Sequence, residues 1–585
     1  MAISVAEIIQ SLGHPPERAA EFSETDRVTA RAKPWVVGGI FLIVLGVYVL
    51  SSPGRIDIVD GQARFDVSYN WLVIGQPVVR DNWIGPVVAV PGRSGFRYSY
   101  YGAPSSVFGA PLVWLGLHTG LHSIPFSQFL FSLISPIFGA AVAPVLLLFY
   151  LELGARTREA IAWTMISSFA TLLWPVANSA FDNAQHAFFA LAAFYLGFLS
   201  ARRRSVICAV AGGLMAGVLV LYQEYFLLII PALALSTIDW KSEGDTISRS
   251  IDHKDSLVFA TASAVKGSYQ KATRLLRTAW NEPGEARSSG LRYGLFLTAV
   301  SVGIVLSLVY NEVRFGSWLD DGKLRFMAQR HHPLFGNPLA GFLTLLVSPG
   351  KSAFLYSPPL VLGVLGIGEL WRRKFELAAA ILISSAALVF FLSFFACPGG
   401  DWCWGPRYLL PLLPLWALAF PFAVRTNAKR RLAIAVVGAG FLVQLLALSV
   451  ENQRFFFDRG FNDFFWAEDS WVYFKHSALV ARFGEALSLF NGPPSTAQYF
   501  NSLPVPNLIT YAPLGPPANV PRALTPIWIR HFQVFFLPRP WPFWMLRIPA
   551  AICPINVSAW LTALFGVTVL GLVLTYRGIQ KSEPR

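Results

Sequence analysis

The sequence predicts an all-α polytopic membrane protein with about twelve transmembrane helices. Three observations carry this. Of 585 residues, 54% are hydrophobic and only 14% charged, and the mean hydropathy is +0.50; a soluble chain carries about a quarter charged residues. Apolar runs of roughly 17–25 residues recur along the chain, long enough to cross a bilayer as helices. The basic residues are also sorted by side. Spans fall near 34–51, 127–152, 160–178, 183–200, 205–221, 224–238, 292–312, 357–371, 375–395, 408–423, 431–450 and 553–576. With the N-terminus inside, the inner segments hold 28 of the 47 Lys and Arg although they are much shorter in total. That is the positive-inside pattern. It places both termini in the cytoplasm and absorbs most of the net charge of +14, so no nucleic-acid partner is expected.

The elements follow in order. Residues 1–33 form a polar cytoplasmic segment. The first span has no small-residue cleavage site after it and reads as a signal anchor. Residues 34–450 form the transmembrane core. Within it, 52–126 is a long first outer loop whose last part reads as a short apolar helix, and 239–291 is the one large cytoplasmic loop. In that loop Val258, Ala262, Val265, Tyr269, Ala272, Leu276 and Trp280 recur at helical spacing with Lys and Arg between them. They read either as an interfacial amphipathic helix or as a packed elbow helix. Residues 451–552 form a second outer region, too aromatic for a disordered linker. Residues 553–585 hold the last span and a cytoplasmic tail.

Candidate chemistry collects on the outer side. The stretch "VDGQARFDVSYNWLVIG" (59–75) reads as a greasy helix ending at Gly75, with a polar stripe of Gln62, Asp66 and Asn70 at four-residue spacing. Asp60 stands at its start. It is either an N-cap or a partly shielded general base; Asp66 is a second candidate acid or part of a solvated face. Asp81, in "VVRDNW", reads as a turn acid. In "SAFDNAQHAFF" (179–189), Asp182 starts the next helix and His186 lies four residues on, the same face. The pair is a cap plus a buried histidine, or a contribution to an outer pocket, and offers too few ligands for a metal. Glu224, in "YQEYF", lies at a tight outer turn, where an ionisable residue suggests a function, a partner or simply the water surface. Arg314 and Lys351 are cations near the outer face, suited to phosphate or to snorkelling. In "CPGGDWCWGPRYLLPLLP" (397–414), Arg407 begins a span beside Pro406, an arrangement that favours an anion. Trp402 and Trp404 suit either a sugar face or an interfacial belt. Cys397 and Cys403 bracket the loop, as a disulfide or as two free thiols.

Taken together, the Asp60-to-Gly75 layout, "YYG" (100–102), "FDNAQH", "NEVRFGS", "SPGKSAFLYSP" and "GPRYLLP" resemble blocks of the GT-C superfamily of integral-membrane glycosyltransferases, in their order along the chain to about residue 450. They resemble most the bacterial dolichyl-phosphate-mannosyltransferase-like members that use polyprenyl-phosphate sugars. The resemblance implies an inner-membrane enzyme with periplasmic outer loops. Its donor would be a polyprenyl-phosphate-linked sugar, its acceptor a cell-envelope glycan or lipid, and the reaction inverting. It puts the catalytic acid on Asp60 rather than Asp66, and the donor phosphate on Arg407 with Lys351 or Arg314. Asp182, His186, Glu224, Tyr101 and Trp404 would be substrate-binding. The 179–189 loop lacks the paired acids that bind metal in oligosaccharyltransferases, and the outer tail lacks their tryptophan-rich acceptor motif. No cofactor is therefore expected, a divalent metal has no support, and peptide glycosylation is disfavoured. Two rivals remain. A transporter or flippase of lipid or sugar would fit twelve spans, but it usually shows repeated halves and midplane polar groups. An O-antigen-type polymerase or ligase would take a pyrophosphate-linked glycan.

Overall fold

The computed structural model describes residues 34–79, 89–119, 124–238, 285–330, 333–400, 402–424, 426–450, 455, 477–488 and 557–580. The expected amphipathic helix of 258–280, most of the aromatic outer region 451–552, Asp81 and Cys553 lie outside these. The chain is an α-helical multi-span membrane protein, with one two-stranded hairpin as its described sheet.

The bundle opens with α1 (Pro34–Ser51). The first outer loop then supplies α2 (Val59–Ile74), the antiparallel strands β1 (Ala89–Pro91) and β2 (Arg97–Ser99), and α3 (Pro104–His118). Helices α4 (Ile124–Ser132) and α5 (Ile134–Glu152), interrupted at Leu133, make one long apolar passage. Next come α6 (Asn183–Arg203), α7 (Val206–Tyr222), α8 (Glu285–Phe315), α9 (Phe375–Ser393), α10 (Asn427–Ser449) and α11 (Val557–Gln580). Helix α6 runs through the middle, with 89% of its most apolar stretch buried, and packs against α5 and α7. Helix α11 returns to lie along α1. Gly39 and Gly46 permit this, since a Cβ at either would collide with Thr575 or Thr568.

Seven described helices are long and apolar enough to cross a membrane, not twelve. The other five expected spans are short or broken, and proline explains most of them. Segment 160–178 splits into Thr157–Phe169 and Leu173–Ala177, the latter containing Pro175. Segment 224–238 becomes a 3-10 turn at Glu224–Leu228, a helix at Ile230–Ala234 with Pro231, and another turn at Leu235–Thr237. Segment 408–423 is interrupted by Pro411, Pro414 and Pro421. Segment 357–371 starts only after Pro358 and Pro359, as the fourteen-residue helix Leu360–Arg373. Each proline removes a backbone donor and crowds the preceding turn. Such breaks are tolerated at membrane depth where neighbouring protein satisfies the freed groups. Helix α7 is regular but only 17 residues long.

Candidate functional site

Helix α2 begins at Val59. Its capping position is Ile58, so Asp60 sits inside the first turn and is no cap. A carboxylate there is favoured by the helix dipole while its side chain stays free for other contacts. Gly61 lets the turn press on the 179–182 loop, because a Cβ would lie 2.6 Å from the Ala180 Cβ. Asp57 locks that contact. Its Oδ2 accepts from the Ser179 hydroxyl and its Oδ1 from the Ala180 amide, both at 2.8 Å. The helix ends at Gly75, φ +70°, as the sequence reading expects.

The expected polar stripe faces protein rather than sugar or solvent. Gln62, Asp66 and Asn70 are all buried. Gln128 of α4 donates to Gln62 at 3.0 Å, Gln62 donates to Asp66 at 3.1 Å, and Asn70 donates to the Val78 carbonyl at 2.7 Å. Asp66 is thereby part of the seam between α2 and α4, away from any open surface.

Asp60 and Arg407, 347 residues apart, meet: Nη1 of Arg407 lies 3.5 Å from Oδ2 of Asp60. The Asp60 side chain is 21% exposed and that of Arg407 is 8% exposed. The guanidinium lies 3.6 Å over the Phe181 ring. Burial works against its charge, but Tyr408, Cys403 and Asp60 outweigh that and raise its pKa. The segment it starts is a 3-10 helix, Arg407–Leu412, with Pro406 before it. The expected pairing of a guanidinium with a long helix N-terminus therefore reduces to the guanidinium.

The loop ahead of Arg407 explains its glycines. Gly400, φ +82°, comes so close to Arg407 that a Cβ would lie 2.6 Å from Nε, and a Cβ at Gly399 would lie 3.1 Å from Lys351 Cδ. Lys351 is buried and its Nζ donates to the carbonyls of Cys403 at 2.7 Å and Gly405 at 3.3 Å. It holds the Arg407 loop from beneath, a positioning role in place of the expected open phosphate contact. Cys397 and Cys403 are not joined to each other by a disulfide. Trp404 is 1% exposed and packs edge-on to Tyr356 at 4.9 Å. It is core, with no face left for a sugar.

Asp182 does not cap α6 with its side chain. Its Oδ2 instead takes Nη2 of Arg64 at 2.8 Å, and Nε2 of His186 stands 3.5 Å from the same oxygen, on the shared face the spacing indicated. Burial alone would raise the Asp182 pKa; Arg64, seconded by His186, holds it well below the usual carboxylate range. Arg64 stays charged for the reciprocal reason. It also lies 4.3 Å over the Tyr101 ring. Arg64 stood off the polar stripe in the sequence, and only the fold shows its partner.

Tyr100 and Tyr101 share a 2.9 Å hydroxyl contact. Burial first, and then the Asp60 carboxylate, raise both phenols' pKa values, so both remain protonated donors. Gly102 lets this turn pack on the backbone of Leu221 and Tyr222. Arg314 fixes it further: Nη1 donates to the Ser99 and Tyr101 carbonyls, at 2.5 and 3.0 Å, and Nη2 donates to Asn311 at 2.6 Å. Its donors are therefore spent on the fold rather than on a phosphate. Glu224 pairs instead with Lys323 at 2.7 Å, and Lys323 also reaches Asp321 at 3.0 Å. Among the described residues, no three His, Cys, Asp or Glu side chains gather as a metal site.

The fold and this cluster define a multi-span membrane protein with an acid–arginine site where its first loop meets one end of the bundle. No family profile matches the chain, and no curated protein sequence does. Among solved structures, it is similar to the apo oligosaccharyltransferase of Archaeoglobus fulgidus, with a TM-score of 0.40 and 15% identity over 74% of this chain and 57% of that one. It is also similar to the oligosaccharyltransferase AglB of Archaeoglobus fulgidus in complex with an inhibitory peptide and a dolichol-phosphate. There the TM-score is 0.38 and the identity 13%, over 72% of this chain and 58% of that one. The chain thus spans a little over half the length of these neighbours.

Proposed function

We propose that the chain is a GT-C-type glycosyltransferase. It moves a sugar from a polyprenyl-phosphate donor to a cell-envelope glycan or lipid acceptor, at the outer face of a bacterial inner membrane. The observation that carries this is the Asp60–Arg407 contact of 3.5 Å between a part-exposed acid and a buried guanidinium. One group can take a proton and its neighbour can hold an anion, a few ångströms apart. That is what displacement of a lipid phosphate requires.

In this reading Asp60 accepts the acceptor hydroxyl proton as that oxygen attacks the anomeric carbon. The bond from that carbon to the phosphate oxygen breaks, and polyprenyl phosphate leaves with the electron pair toward Arg407. A single displacement inverts the anomeric centre. Tyr100 and Tyr101, protonated and beside Asp60, supply hydroxyl donors for the sugar. The contact to Asp60 is long for an ion pair, so a phosphate competes for Arg407 readily. The test is turnover by the full chain in lipid nanodiscs, offered a panel of polyprenyl-phosphate sugars with envelope glycan and lipid. Mass spectrometry detecting released polyprenyl phosphate supports the reading. Folded protein that releases none with any donor contradicts it and favours transport or a pyrophosphate-linked substrate.

A further inference from the structure

Arg64 has no part in the reaction described above, yet of the two buried guanidiniums beside Asp60, Arg64 and Arg407, it leaves more donors unmet. The residue is 3% exposed. Only Nη2 is engaged, with Asp182; Nε and Nη1 are buried without a hydrogen-bond partner. A guanidinium carries five N–H donors in a planar fork, and leaving buried ones unmet opposes folding. Arg64 follows Asp60 by four residues on α2, so the two side chains leave the same face. Arg407 is its counterpart across the acid. Its guanidinium carbon too lies over a ring, it too reaches one carboxylate oxygen, and its Nε is also buried and unpartnered. The neighbours Phe181 and Asp182 give the two guanidiniums their seats, one as a ring face and the other as a counter-ion.

Two planar cations with spare donors, set about one acid, suit an oxyanion with several oxygens better than a single carboxylate. We propose that Arg64 is a second phosphate-binding residue, and that Arg64 and Arg407 together grip the phosphate of the polyprenyl donor. This rests on the glycosyltransferase reading. Nε and Nη1 of Arg64 take phosphate oxygens while Nη2 stays on Asp182, which acts as a positioning residue. When the glycosidic bond breaks, the phosphate gains one negative charge, and both cations already face it.

The test is binding of a polyprenyl monophosphate to the full chain in nanodiscs, by native mass spectrometry, with the neutral polyprenol of equal length as control. Three variants are compared: Arg64→Gln, Arg64→Gln with Asp182→Asn, and Arg407→Gln. The double variant removes the ion pair as a unit, so it leaves no buried acid unpaired and decides the matter where the single variant does not fold. Each of the three weakens phosphate-lipid binding roughly 10- to 100-fold and leaves polyprenol binding unchanged. A folded double variant with wild-type affinity for the phosphate lipid overturns the role of Arg64. Loss of affinity in Arg407→Gln in that same series keeps the donor reading standing. Wild-type protein that binds the two lipids equally overturns both.

Discussion

Gly400→Ala adds one methyl group and tests how the loop holds Arg407. Two costs follow from the structure. The residue has φ +82°, where a Cβ costs about 1–2 kcal/mol. The new Cβ would also stand 2.6 Å from Nε, 2.8 Å from Cγ and 3.2 Å from Cδ of Arg407. Ordinary carbon contacts lie near ~3.5 Å, so the guanidinium or the loop must move by roughly 1 Å. A displacement of that size at a reacting centre costs on the order of 100-fold in rate. Gly399→Ala is the matched control. Its Cβ would meet the stem of Lys351 at 3.1–3.3 Å, and its φ lies outside the left-handed region. The assay is release of polyprenyl phosphate, read beside the thermal unfolding of each variant. We expect about a 100-fold loss for Gly400→Ala with only about 1–2 kcal/mol of destabilisation, and a much smaller rate loss for Gly399→Ala. Gly400→Ala turning over at the wild-type rate would refute the idea that the loop places Arg407.

Three further predictions test the surroundings. Asp182→Asn leaves Arg64 buried and unpaired, and should cost about 3–5 kcal/mol. The Asp182 pKa is depressed below its ordinary 3.8, so the pair stabilises the fold above that pH and is lost as pH falls through the lowered value; the gap to wild type in unfolding should hold from pH 7 to 9 and close only in acid, and a gap that opens only above pH 7 contradicts the assignment. Arg314→Met frees the Ser99 and Tyr101 carbonyls and should cost about 2–4 kcal/mol and slow transfer, with phosphate-lipid affinity unchanged; a selective loss of that affinity would return Arg314 to the donor site. Trp404→Phe should destabilise by about 1–2 kcal/mol and leave the Michaelis constant for donor unaltered, whereas a raised constant in a stable variant would mean that the indole does meet the sugar.

The parts of this site that were legible in the sequence are those with local signals. Asp60 to Gly75 shows as a helix because its stop is a glycine that φ +70° requires. Asp182 and His186 share a face because four residues make about one turn. Composition and charge placement indicate a membrane bundle, but they overcount its long helices. Apolar content alone does not reveal that Pro231, Pro411, Pro414 and Pro421 break the segments they sit in. Roles that depend on distant partners stayed hidden. Arg64 looks like a stray charge until Asp182, 118 positions later, is seen against it. Lys351 and Arg314 look like open cations until backbone carbonyls from elsewhere occupy their donors. The stripe of Gln62, Asp66 and Asn70 shows its period but not what covers it, and α4 covers part of it with Gln128.

The most direct test of the central claim is a single-turnover comparison of wild type with Asp60→Asn, in nanodiscs loaded with a donor that wild type uses. Asparagine keeps the shape and removes the proton acceptor. The account predicts that the variant folds, retains polyprenyl-phosphate-sugar binding through Arg407, and transfers no sugar. Transfer by Asp60→Asn at the wild-type rate would remove Asp60 from the chemistry and the proposed mechanism with it.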